Sequence, residues 1–169
     1  KSHIELVKQG TFPDPISTCG TPHGFPRLMN LPDLYEFVVT PQQVIVLGEN
    51  GPNVLRVYTD GRTHPAPADL WPTYSGSSVG HWEGDTLVVE TTNFRVGNRG
   101  NNSPMRQLIE RFTRLSMDRL KYEVTTIDPG TYEKPWTAVL YWKNEPKDQI
   151  YEFACHEGNE AMAGTLSGY

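Results

Sequence analysis

The chain has 169 residues, enough for one domain with a proper core. Its 37% hydrophobic and 21% charged residues are a globular mix, not a disordered one. The formal net charge of -5 opposes a nucleic-acid backbone, and no apolar run approaches the roughly 18 residues of a membrane span, so neither partner is expected.

With 14 Pro and 15 Gly, turns must be frequent and long helices few. Residues 1–33 read as a Pro/Gly-rich N-terminal arm, because Pro13, Pro15, Pro22, Pro26 and Pro32 leave no room for a helix or a central strand. From Leu34 the texture changes. "LYEFVVTPQQVIVLGENGPNVLRVYTDGR" holds three β-rich runs, Leu34–Val39, Val44–Leu47 and Val54–Tyr58, with turn signals at Asn50-Gly51 and Asp60-Gly61. "RTHPAPADLWPTYSGS" reads as a long loop. "SSVGHWEGDTLVVETTNF" then gives strand, turn and strand, with Gly84 supplying the turn. "RVGNRGNNSP" is a further loop, whose Ser103-Pro104 can open a short helical turn.

The last third returns to strands in "QLIERFTRL", "LKYEVTTID", "WTAVLYW" and "QIYEFAC". Leu120, Tyr122 and Val124 alternate with Lys121, Glu123 and Thr125, the period of a strand with one buried face. Val139 and Tyr141 alternate with Leu140 and Trp142, apolar on both faces, which predicts a strand covered on both sides. About nine short strands with short turns predict an all-β antiparallel meander that closes into a lipocalin-like barrel or a strongly rolled sheet. A two-sheet β-sandwich is the alternative. The barrel domain is expected over residues 34–158, followed by a tail at 159–169.

Cys19 and Cys155 match no zinc pattern. They are either two buried thiols or one disulfide closing a long loop, which the chain-entropy model values at about 4–5 kcal/mol. The sequence begins at Lys1, as it would after removal of a signal peptide or after trimming.

"CGTPHGFPRLM", "YTDGRTHP", "SVGHWEGDTLVVETTNF", "ERF" and "EFACHEGN" together resemble a widespread, largely uncharacterised family of exported bacterial proteins. The resemblance runs from about Cys19 to Asn159 and rests on the order of the pieces rather than on any one of them. It implies a secreted or periplasmic bacterial domain and supplies no reaction. The loop "RVGNRGNNSPMRQ" departs from the family pattern, which places a His there.

Residues with chemical capacity stand out against this background. On a strand, His81 and Glu83 of "HWEGD" share one side and Trp82 takes the other, so His81 can serve as a base beside a carboxylate. The plainer reading is a hairpin tip in which Trp82 packs and the acids cap turn amides. Arg62 and His64 follow a Gly turn, where they can hold a carboxylate or lie solvated. Glu110 shares a period-two face with Leu108 and Phe112, and Arg56 shares one with Val54 and Tyr58. If both faces turn inward, Arg56 and Glu110 pair across a cavity. If not, they fix register or face solvent.

His81, Glu110 and His64 are therefore the candidate catalytic residues. Arg56, Tyr58, Trp82, Phe112, Tyr122 and Tyr141 are the candidate substrate-binding ones. The spacing of His23, His64, His81 and His156 fits no metal signature, and the nucleotide and nucleophile-elbow motifs are absent, so no metal or cofactor is expected. The leading functional expectation is a cofactor-independent enzyme acting on a small, largely apolar organic molecule by acid–base chemistry, of cyclase, isomerase or lyase type. The alternatives are a non-catalytic small-molecule-binding or transport barrel and a structural cell-envelope domain. Oligomeric state is not legible.

Overall fold

The computed structural model describes Met29 and residues 33–49, 54–96 and 103–152. Eight strands form one sheet in chain order: β1 (Tyr35–Val39), β2 (Gln43–Gly48), β3 (Val54–Tyr58), β4 (Ser77–Glu83), β5 (Thr86–Thr92), β6 (Gln107–Arg114), β7 (Arg119–Ile127) and β8 (Trp136–Lys143). The sheet is all-β and strongly curled into a half-barrel. Cys19, Cys155, most of the N-terminal arm, the Asn50-Gly51 turn and the C-terminal tail lie outside the described residues, and with them the disulfide expectation.

Alternation sets which face is buried. Val44 and Val46 of β2, Leu55 and Val57 of β3, Leu87 and Val89 of β5, and Leu108 and Phe112 of β6 all point to the concave side and are buried. Each such side chain contributes about 1.5–3 kcal/mol through burial. Met29 and Phe94 join this core from outside the strands.

Four details depart from the sequence reading. The meander is not wholly antiparallel, because β3 and β4 pair in parallel over Val57–Ser78 and Tyr58–Val79. A parallel pair needs a connection of about a dozen residues or more, and the Pro-rich loop after Tyr58 is that connection. It is pinned to the sheet by a Thr73–Phe94 bridge and by Asn93 Nδ2 donating to the Trp71 carbonyl at 3.0 Å. The outer face of β8 is open rather than covered, with Val139 44% and Tyr141 62% exposed. Gln149–Glu152, the described part of the expected ninth strand, is not strand. Ser103 accepts the Met105 amide at 3.0 Å in a turn, and no helix follows.

β1 and β8 are the two ends of the strand order, with no ladder between them. Aromatic rings span the gap instead. Phe112 stacks on Tyr122 (4.9 Å between centroids), Tyr122 on Trp142 (5.0 Å), and Trp142 on Tyr35 of β1 (5.3 Å). Phe37 of β1 meets Phe112 edge-on at 5.5 Å.

Two glycines are required by local geometry. Gly84 opens the β4–β5 turn with φ 59, while Asp85 keeps a negative φ, the pattern of a type II′ hairpin. Gly80 lies where β4 crosses the core, and a Cβ there would sit 2.7 Å from Val57 Cγ1 and 2.8 Å from the Val88 carbonyl. Gly80→Ala is therefore expected to cost about 1–3 kcal/mol, read by chemical denaturation. Gly48→Ala, whose Cβ would meet only the Tyr35 ring at 3.5 Å, should stay within about 1 kcal/mol of the parent.

Candidate functional site

The strand period of "LIERF" places Glu110 between Leu108 and Phe112 on the concave face, opposite Val89 of β5 and Val124 of β7. The residue is fully buried. Its carboxyl accepts the Tyr122 hydroxyl at 2.7 Å and lies 3.5 Å from the Thr91 hydroxyl, the outer limit of a hydrogen bond. Thr91 in turn bonds Ser78 at 2.8 Å, so a buried polar chain crosses β4, β5, β6 and β7.

Burial pushes the Glu110 carboxyl from its ordinary 4.5 up to about 7, opposed by the bonds from Tyr122 and Thr91 and by the Arg106 charge. Burial beside the same carboxyl holds the Tyr122 phenol well above its ordinary value. Arg106 is itself held below its ordinary value by burial, against the attraction of Tyr132, Asp128 and Glu110. Asp128 is buried, and its carboxylate takes the Gly130 amide at 3.2 Å.

Next to Phe112, the concave side opens into a groove of about 1210 Å³. Tyr35, Phe37, Trp82, Phe112 and Trp142 supply its aromatic surface, and Tyr141 borders it from the outer face of β8. Glu110, two residues from Phe112 on the same face of β6, does not line it. Trp82 is 48% exposed at the mouth, on the inner side of β4. Trp71 is 87% exposed on its loop, and Trp136 meets Tyr132 edge-on at 5.8 Å, so only two of the four Trp face the groove.

Other candidates stand on the convex face. His81 Nε2 lies 3.1 Å from Glu83 Oε1, and Arg111 donates to Glu83 Oε2 at 2.8 Å; all three are exposed. "HWEGD" is thus a hairpin tip with a surface charge network, and His81 and Glu110 are on opposite faces of the sheet. Arg56 also faces outward, because Leu55 and Val57 take the core, and it donates to Gln43 at 2.7 Å. The expected Arg56–Glu110 pair does not form; Arg106, from the turn before β6, is the cation whose field reaches Glu110. Tyr58 lies beneath Arg62 at 4.0 Å, and Arg62 is held by Asp60. His64 packs with both ring nitrogens buried and unbonded among the described residues, its Nε2 3.9 Å from Glu90, which Gln107 holds at 2.7 Å.

Of the candidate residues, Glu110, Phe112 and Tyr122 come together, with Trp82 at the groove mouth. His81, His64, Arg56 and Tyr58 do not join them. Ser78, Thr91 and Arg106 were missed by sequence reasoning. A hydroxyl on the buried parity of β5 was a readable signal for Thr91, whereas Arg106 lies in a turn with no period to read. Among the described residues no group of three or more His, Cys, Asp or Glu is placed to hold a metal ion. No family model, curated protein or solved structure matches the chain.

A carboxyl raised from 4.5 to about 7 binds its proton more tightly in the folded than in the unfolded chain. Its contribution is complete below about pH 4.5 and is lost as pH rises through 7. The loss amounts to roughly 3 kcal/mol. Thermal melts from about pH 4.5 to 8.5 should show this decline, and Glu110→Gln should flatten it relative to the parent protein.

Proposed function

We propose that the concave groove binds a small, largely apolar organic molecule. One observation carries this reading: aromatic side chains from β1, β4, β6 and β8 converge on an open hollow at the end of the half-barrel where the sheet edges meet. Rolled sheets with apolar hollows and a few polar groups suit such ligands.

Titration with a panel of small aromatic and alicyclic molecules, neutral and charged, tests it through tryptophan fluorescence. Saturable binding is expected. Trp82→Ala, at a half-exposed site, should keep the fold and weaken binding by about tenfold or more. If the folded protein saturates with no panel member, the reading fails.

A second reading, acid–base catalysis of cyclase, isomerase or lyase type, is favoured by Glu110. Burial pushes its carboxyl up to about 7, and it shares a face of β6 with Phe112, a groove residue two positions on. If this reading holds, Glu110→Gln retains ligand affinity and loses turnover by about a hundredfold or more. Equal turnover in both proteins would remove Glu110 from the chemistry. We further propose an exported bacterial setting, on the resemblance of "CGTPHGFPRLM" and "EFACHEGN" alone.

A further inference from the structure

The charge around the groove is uneven. Its described lining includes the carboxylates Asp33, Asp85, Asp118, Glu145 and Asp148 from turns and connections, with Arg114 on the inward parity of β6, while Glu36, Arg119 and Lys143 belong to the outward parity of β1, β7 and β8. The cations are partly engaged already. Lys143 pairs with Glu145 at 2.9 Å, and Arg114 donates to the Ser116 carbonyl at 3.3 Å and to Met117 Sδ at 3.0 Å. The Ser116 hydroxyl holds Asp118 below its ordinary value, which keeps it ionised near neutrality.

From this complementarity we infer that the ligand is an organic cation, an amine or quaternary ammonium group on an apolar body. The inference rests on the groove being the binding site proposed above. Two features of the groove act together on such a molecule. The excess of carboxylates attracts positive charge and repels anions, and the low-dielectric walls strengthen that field. Aromatic faces stabilise a cation that sheds its water, most of all an indole, and Trp82 presents an exposed one at the mouth. A neutral ligand of equal shape gains the apolar contact alone. A phosphate or carboxylate ligand would meet repulsion.

The test compares three probes on the full chain by calorimetry: benzyltrimethylammonium, its uncharged near-isostere 2-methyl-1-phenylpropan-2-ol, and the anion phenylmethanesulfonate. The cation is expected to bind about tenfold tighter than the alcohol at low salt, with that advantage shrinking toward ~0.5 M salt. The double variant Asp85→Asn, Asp148→Asn, checked for folding by circular dichroism, should lose most of the cation's advantage and keep the alcohol's affinity. Binding of the alcohol or the sulfonate at least as tight as the cation overturns this inference and leaves the groove as a binding site. So does an unchanged cation affinity in the folded variant. Saturation by none of the three overturns it together with the reading beneath it.

Discussion

The stack of rings from Phe112 through Tyr122 and Trp142 to Tyr35 is the contact on which the half-barrel depends. A curled sheet of eight strands leaves two edges, and here no ladder joins β1 to β8. Backbone hydrogen bonds therefore hold each strand to its neighbour but do not close the roll. Closure falls to side chains, and offset aromatic pairs suit the task because each adds about 0.5–1.5 kcal/mol beyond its burial. The stack also defines the groove, since the rings that bridge the edges form its aromatic surface.

The same stack shields Glu110. Tyr122 is at once a member of the ring stack and the donor to the Glu110 carboxyl. Burying a carboxyl without partners would be costly, and here the phenol, the Thr91 hydroxyl and the Arg106 charge offset part of that cost. The remainder appears as a proton held near neutral pH. Ring packing and proton affinity are thus coupled: a change that wets the rings lowers the cost of ionising the carboxyl. The convex face behaves differently. Its His81–Glu83–Arg111 and Lys121–Glu123 contacts are in water's reach, and such pairs contribute little to stability.

Two kinds of polar chemistry are therefore separated by the thickness of one sheet. The concave side has few groups, buried and strongly perturbed. The convex side has many, and most of them are exposed. The separation follows from strand parity alone, because adjacent residues of one strand point to opposite faces. The rim of the groove is a third zone, formed where β1 and the β4–β5, β6–β7 and post-β8 connections gather, and it carries the excess of negative charge.

Parity within a strand is what the sequence determined by itself. The alternation in "LIERF" and "LKYEV" places Glu110, Phe112 and Tyr122 on one face, and the Gly84 turn places His81 on a hairpin; both follow from local geometry that needs no partner. Which face is inward is a different matter, and only tertiary structure decided it. In β3 "VLRVY" offers Leu55 and Val57 or Val54 and Tyr58 as an apolar face, and contact with the β2 residues Val44 and Val46 selects the first, turning Arg56 out to Gln43. Likewise β8 is apolar on both faces, and stacking of Trp142 on Tyr122 and Tyr35 chooses the Trp142 side. The parallel β3–β4 pair, the approach of Arg106 to Glu110 and the groove where the edges meet all join residues far apart in the chain. Their positions depend on how the sheet curls, and curl is a sum over every strand pair that no local pattern records.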